Sequence, residues 1–307
     1  MKIGIGKAHG KIILIGEHAV VYGTRAIAIP FFNTKVLTKV WENEENYIRS
    51  EIYTGSLKDA RNDIESIQSL INELQLKLEL PNLFYDIDSN IPVSSGMGSS
   101  AAVASSIVEA VYNFKDIELS DKTRFEWTQF AERIAHGNPS GIDAQTTTHN
   151  HAIIFQKNYG MLKFNVQLDA YLIVGESGEK GNTKEAVSAV RRLIEEENKQ
   201  GLINDIGIQV EECYESIISR DIVAVGNTLT KAQKKLKELE VSTKRLDKMV
   251  ELALENRALG AKLTGGGRGG CVIALSEDIM TAEIIKNKWM KFTNKPAWIL
   301  YLGEELI

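Results

Sequence analysis

The chain predicts a mixed α+β fold in two domains, and three observations carry that prediction. Short segments in which apolar and polar residues alternate, the period of a strand, fill much of the first 90 residues and return near the C-terminus. Stretches with apolar residues three and four apart, the period of a helix, occupy most of residues 182–259. The order runs β-β-α-β-α-β, then helices, then β-α-β, which lacks the regular alternation of a doubly wound protein. The change of element type puts the boundary at 165/166, giving domains 1–165 and 166–307. The 307 residues are enough for both to bury a core.

Residues 3–15 alternate around glycines and read as a strand pair. Residues 26–41 alternate in their second half, with Pro30 marking an edge or a break. Residues 47–53 suggest another strand. Between 59 and 80, Ile64, Ile67, Ile71, Leu74 and Leu78 recur at helical spacing and define an amphipathic helix. A strand at 83–88 leads into PVSSGMGSSAA at 92–102, and a helix of small residues follows from 101 to about 112. Ser120 caps the next helix, which carries Phe125, Phe130, Ala131 and Ile134 and precedes the polar segment HGNPSGIDAQT. Strands are expected at 151–155, 161–164 and 170–175. Asn182 caps a helix to about 199, and 202–219, 221–238 and 242–259 give three more. The lysines of 233–248 form a solvated helix face. Residues 261–264 lead into GGGRGG and a strand at 271–275; a helix at 280–289 and a strand at 297–302 close the chain.

Composition excludes several classes. Hydrophobic content of 43% and charged content of 25% are ordinary for a globular protein. The formal net charge of −5 lacks the basic excess of a general nucleic-acid binder. No run approaches the ~20 apolar residues of a membrane span, and the apolar run 12–15 is too short for a secretion signal. The two cysteines, Cys213 and Cys271, form no paired pattern, which fits a reducing cytoplasm. GIGKAHG is one residue too long for a dinucleotide fingerprint, Gly10-Lys11 lacks the Ser or Thr of a Walker loop, and Glu17-His18 is not part of HExxH. HRD and DFG signatures are missing. His149 and His151 read as a surface pair rather than a metal site.

Four stretches carry chemistry. Residues 92–102 place Gly96, Gly98, Ser99 and Ser100 between a strand and a helix start, where unpaired N–H groups and the helix dipole suit a phosphate. Lys11 interrupts an apolar strand, as a snorkelling edge residue or as a cation near phosphate. Asp143 is a turn residue or a functional carboxylate, and Glu132 by itself is a helix surface charge. GGGRGG at 265–270 interrupts apolar β-sequence, which implies close backbone approach, and Arg268 in its middle implies an anion.

Taken together, AHGKIILIGEH (8–18), PVSSGMGSSAA (92–102) and KLTGGGRGG (262–270) resemble the three ordered motifs of the GHMP small-molecule kinases, over nearly the whole chain. EHAVVYG (17–23) and HGNPSGID (136–143), with Glu132-Arg133 before it, are similar to the mevalonate kinases within that family. Two departures stand out: His9 where the family usually has proline, and Gly266 where the third motif usually has alanine.

The resemblance implies a two-domain GHMP kinase fold, with an N-terminal ribosomal-protein-S5-domain-2-like domain and a C-terminal ferredoxin-like α/β plait. It implies phosphorylation of the primary hydroxyl of mevalonate by ATP with Mg²⁺, in isoprenoid precursor biosynthesis. Asp143 would be the general base and Lys11 the charge stabiliser. Pro92, Ser94, Ser95, Gly96, Met97, Gly98, Ser99, Ser100 and Ala101 would cradle the nucleotide phosphates. Ser100 and Glu132 would hold the metal; Glu17, His18, Thr183, Gly265 and Gly266 would face the substrate. The implied partners are mevalonate and ATP, with no nucleic acid and no membrane, and dimers are usual in the family. Phosphomevalonate kinase and other kinases of the family remain open, as does a non-catalytic ligand sensor on the same fold. A sensor is expected to have lost some of Lys11, Ser100, Glu132 and Asp143, and all four are present.

Overall fold

Glycines do not split the first strand. In a computed structural model of the chain, which describes residues 1–60, 64–137 and 139–303, β1 (Gly4–Ile15) is one unbroken strand and not the expected pair. Gly4 and Gly6 sit where β1 lies on α2 (Ser99–Lys115). A Cβ at these positions would come within 2.1 Å of the Ala110 carbonyl oxygen and 2.0 Å of that of Ser106. The small residues of α2 answer them from the other side. β2 (Arg25–Glu42) likewise runs through Pro30 without a break. It pairs β6 (Ala152–Gln156) from Arg25 to Ala28 and β5 (Leu83–Ser89) from Val36 to Glu42. Pro30, which has no N–H to donate, falls between these two ladders.

The chain forms two compact units, and neither is a single stretch. The first comprises Met1–Lys11, Phe31–Pro92 and Gly98–His149; the second comprises Ile12–Pro30, Val93–Met97 and Asn150–Ile307. The cut expected at 165/166 falls inside the last of these runs. Asn138 and residues 61–63, the latter within the helix expected at 59–80, lie outside the described residues.

In the first unit the strand order is β4-β3-β5-β2, with β3 (Tyr47–Arg49) parallel to β5 and antiparallel to β4 (Thr54–Ser56). The helices are α1 (Glu65–Leu78), α2, α3 (Asp121–His136) and α4 (Ile142–Thr147). Ile67, Leu70, Ile71 and Leu74 bury the apolar stripe of α1, as the helical spacing required. Ser120 caps α3 by accepting the Thr123 N–H at 3.1 Å. α4 stands where a loop was expected, and it carries Asp143 in its first turn. His149, expected at the surface, is buried. Its Nδ1 lies 2.7 Å from the Gln145 carbonyl oxygen and its Nε2 3.6 Å from Asp121.

In the second unit β6 pairs β7 (Gly160–Phe164). A separate sheet has the order β11-β8-β10-β9 and is antiparallel throughout. Its strands are β8 (Tyr171–Glu176), β9 (Gly260–Thr264), β10 (Cys271–Ser276) and β11 (Ala297–Tyr301). Helices α5 (Thr183–Glu197), α6 (Gln200–Ile218), α7 (Ile222–Glu238) and α8 (Lys244–Glu255) fill the first crossover, and α9 (Ile279–Thr293) fills the second. Counted along the chain, the four strands lie 4-1-3-2 in a β-α-β-β-α-β path, the ferredoxin-like arrangement. Trp289 anchors the core beneath them, donating its indole N–H to the Met249 carbonyl at 2.8 Å. Among the described residues no helix is long and apolar enough to cross a membrane.

One polar contact in this unit is buried completely. Lys262, in β9, is 0% exposed; it donates to the Glu17 carboxylate, itself 2% exposed, and to the Leu263 carbonyl at 2.6 Å. Thr264 donates to the Ile13 carbonyl at 2.8 Å, so the end of β1 and the end of β9 are fastened by two side chains. Removing one member of a buried ion pair leaves a dehydrated charge facing no counter-ion. Lys262→Met should therefore lose about 3–5 kcal/mol in chemical denaturation, and Lys262→Met with Glu17→Gln should lose less. A single variant within 1 kcal/mol of the parent would contradict this.

Candidate active site

The first unit gathers four of the residues singled out in the sequence. α2 begins at Gly98, which takes the left-handed conformation (φ 73°) and has no side chain to cap the helix. The first bond of the helix runs from the Ala102 N–H to the Gly98 carbonyl at 2.9 Å. The amides of Ser99, Ser100 and Ala101 thus have no partner inside the helix, and the dipole makes their end attractive to an anion. Lys11 passes directly under Gly98: a Cβ there would stand 2.9 Å from Lys11 Cγ and 3.3 Å from Thr147 Cγ2. Glycine is needed at that position because the lysine occupies the space.

The Lys11 ammonium lies 2.8 Å from Asp143 Oδ1. The lysine is 2% exposed and the aspartate 34%, so the pair is sealed on one side and open on the other. Glu132, on α3, is buried, and its Oε1 has no hydrogen-bond partner among the described residues. Burial raises its pKa, and the negative charge of Asp143 raises it further. His136, the Ser100 hydroxyl that hydrogen-bonds it and the Lys11 charge act in the other direction. Lys11, Ser100, Glu132 and Asp143 therefore form one cluster.

The second unit gathers the other set. Residues Val93–Met97 carry Ser94 (φ 58°) and Gly96 (φ 79°) in the left-handed region. The third glycine loop lies backbone to backbone on this stretch. A Cβ on Gly265 would come within 2.8 Å of Gly96 Cα, and one on Gly270 within 2.6 Å of the Ser95 carbonyl oxygen. This is the close approach that the glycine run implied.

Gly266 is packed against Thr183 at the start of α5; a Cβ there would stand 2.7 Å from Thr183 Oγ1. The departure from alanine has this cause: the threonine hydroxyl fills the room a methyl group would need. The Gly266 carbonyl is 3.0 Å from His18 Nε2. His18 itself has a positive φ (φ 61°, ψ −49°), at the start of a short 3₁₀ turn, Ala19–Tyr22. Burial pushes its pKa down to about 4; the Gly266 contact works against that shift, and the charges of Lys262 and Arg268 add to it. Its ring is neutral at ordinary pH, and donation to Gly266 requires the proton on Nε2. His18, Thr183, Gly265 and Gly266 thus come together. Glu17 does not join them, because its carboxylate turns to Lys262.

Arg268 has an acidic partner. Its Nη1 lies 3.0 Å from Glu185 Oε1, and its N–H donates to the Val241 carbonyl at 2.6 Å. The residue sits at φ 56°, where a non-glycine residue costs about 1–2 kcal/mol. The ion pair is half exposed, and such pairs return about 0.2–1 kcal/mol. Arginine at this position therefore adds nothing to stability over glycine. Glu185 was not singled out in the sequence, although Asn182-Thr183-Lys184-Glu185 carries the spacing of a capping box. Lys262 lay inside a quoted motif without a role.

The model of the GHMP kinases N terminal domain matches residues 64–150, and that of the GHMP kinases C terminal matches residues 213–295. A protein named mevalonate kinase from Thermococcus onnurineus (strain NA1) is 31% identical over 304 residues, covering 89% of both chains. One of the same name from Methanocaldococcus jannaschii is 32% identical over 298 residues, covering 90% of this chain and 93% of its own. The crystal structure of mevalonate kinase from methicillin-resistant Staphylococcus aureus MRSA252 superposes with a TM-score of 0.75 at 31% identity, covering 99% of this chain and 100% of its own. The chain belongs to the GHMP kinases, ATP-dependent enzymes, and within them to the mevalonate kinase family.

Proposed function

We propose that the chain transfers the γ-phosphoryl group of ATP to the primary hydroxyl of mevalonate, giving 5-phosphomevalonate for isoprenoid precursor biosynthesis. The observation that carries this reading is the Lys11–Asp143 pair, sealed behind and open in front, with the N-terminus of α2 in the same unit. Phosphoryl transfer needs a proton acceptor, in-line positioning and neutralisation of charge. Asp143 takes the proton of the attacking hydroxyl as its oxygen bonds to the γ-phosphorus. The bond from that phosphorus to the β,γ-bridging oxygen breaks, and ADP leaves. Lys11 offsets negative charge on the attacking oxygen and on the transferred group. The free amides of Ser99, Ser100 and Ala101 hold phosphate oxygens, with Gly98 clearing the way. Residues 92–97 immediately precede Gly98 in the chain, and the resemblance assigns them to the nucleotide phosphates. Thr183, His18 and the backbone of Gly265 and Gly266 receive the acceptor.

Ser100 and Glu132 fit a magnesium ion. A hydroxyl and a buried carboxylate oxygen without a partner are hard oxygen donors, and Mg²⁺ commonly takes one or two carboxylates together with substrate phosphates. When bound, the ion would neutralise charge on the β- and γ-phosphates. ADP release measured against mevalonate, phosphomevalonate, homoserine and galactose tests the reading. Turnover with mevalonate alone supports it; turnover with another of the four, or with none, overturns it.

Two outcomes follow from the roles assigned. Asp143→Asn should melt below the parent, because the buried Lys11 ammonium loses its counter-ion, and the folded variant should lose about 10²–10⁴-fold in kcat, the usual loss when a general base is removed. A near-parent kcat would remove Asp143 from its role. Glu132→Gln should be at least as stable as the parent at pH 7–8. The upward pKa shift means that ionising Glu132 in the folded chain costs free energy, which is spent as pH rises through the raised pKa, and glutamine avoids that cost. The same variant should need more Mg²⁺ for half-maximal rate. Reduced stability with unchanged Mg²⁺ dependence would make Glu132 a structural residue.

A further inference from the structure

Arg268 has so far no part in the chemistry, and stability does not account for it. The only side chain among residues 265–270 belongs to Arg268, in a loop where Gly265, Gly267, Gly269 and Gly270 all have positive φ. Glycine would hold this turn without strain. The loop needs no side chain to stay in place, since its own backbone is tied to Val241. The Arg268 N–H bonds the Val241 carbonyl, and a Cβ on Gly267 would stand 2.3 Å from that same oxygen. The guanidinium reaches elsewhere, to the first turn of α5. There Glu185 is already tied to the N-cap Asn182: Asn182 Oδ1 accepts the Glu185 N–H at 3.1 Å, and Asn182 Nδ2 donates to Glu185 Oε2 at 3.3 Å. Arg268 takes the remaining oxygen, Oε1. The turn so gripped is the one that carries Thr183, whose hydroxyl lies on Gly266, whose carbonyl in turn accepts from His18.

We propose that Arg268 is a positioning residue for the acceptor: by clasping Glu185 it fixes the first turn of α5, and with it Thr183, against Gly266 of the glycine loop. This rests on the reading of Thr183, Gly266 and His18 as the acceptor's side of the site. Without the guanidinium the loop keeps its backbone anchors, while the helix start loses its tie to the loop. The defect should thus fall on the acceptor and spare the nucleotide, whose phosphates are assigned to residues 92–101.

The test compares Arg268→Gly, Glu185→Gln, the two combined, and Arg268→Lys with the parent enzyme. Melting temperatures should stay at the parent value or rise for Arg268→Gly, because a half-exposed pair is lost and left-handed strain is relieved. The KM for mevalonate should rise about 3- to 10-fold in either single variant, with the KM for ATP unchanged. The combined variant should be no worse than either single one, since one contact is removed in all three. Arg268→Lys should recover part of the loss. An unchanged mevalonate KM, a rise in ATP KM instead, or losses that multiply in the combined variant would overturn the proposal. Hydrogen exchange reads the clasp without any substrate. Amides 183–187 should exchange faster in Arg268→Gly, while α8 keeps its protection. If the parent fails to phosphorylate mevalonate, the functional reading falls and the exchange result still decides the clasp. Unchanged exchange at 183–187 overturns it.

Discussion

An ammonium group taken out of water has to be met by an anion, or it costs several kcal/mol. Lys11 is such a group, and much of the first unit follows from satisfying it. β1 must run on without a break to deliver the lysine beneath the start of α2. The cap of α2 must be glycine, because the lysine stem fills the place of a side chain. A short helix must form after Gly141 so that Asp143 is presented to Nζ from its first turn. The carboxylate is then fixed by its partner and still reachable from outside, which is what a proton acceptor for a bound alcohol requires.

The second buried lysine sharpens this by contrast. Lys262 also meets a carboxylate, but Glu17 is 2% exposed where Asp143 is 34%. A pair closed on every side can only hold strands together; a pair with one open side can react. The same chemistry, one methylene apart in the carboxylate, serves once as a rivet and, in the proposed mechanism, once as a reactive group. Glu132 is a third case, a buried carboxylate with an open lone pair and a like charge near it. That arrangement is unfavourable in the protein alone and favourable once a cation is added, a trade of stability for function that active sites commonly show.

What the sequence made legible was local. The apolar stripe of α1, the Ser120 and Asn182 caps and the crowding of small residues on α2 each have a short-range physical signature, and each appears where that signature lies. The order of the three glycine-containing motifs made the family legible as well. What stayed hidden depended on residues far along the chain. Gly4 and Gly6 read as breaks because their reason, the backbone of α2, is a hundred residues away. The contact of Glu17 with Lys262 was hidden because nothing near Glu17 names a residue 245 positions on. His149 read as exposed because the polar segment around it gives no hint of the burial that α4 imposes. Gly266 read as a small departure from a motif, and its cause is the hydroxyl of Thr183.

The account turns on Lys11 and Asp143 acting as one device, and a double-mutant cycle on kcat/KM tests that most directly. Groups that act as a unit give losses that do not add. Lys11→Met, Asp143→Asn and their combination should each lose activity to a similar extent, with the combination no more than about tenfold below the worse single variant. Losses that multiply, so that the combination falls by the product of the two single effects, would show that the lysine and the aspartate work independently and would contradict the account.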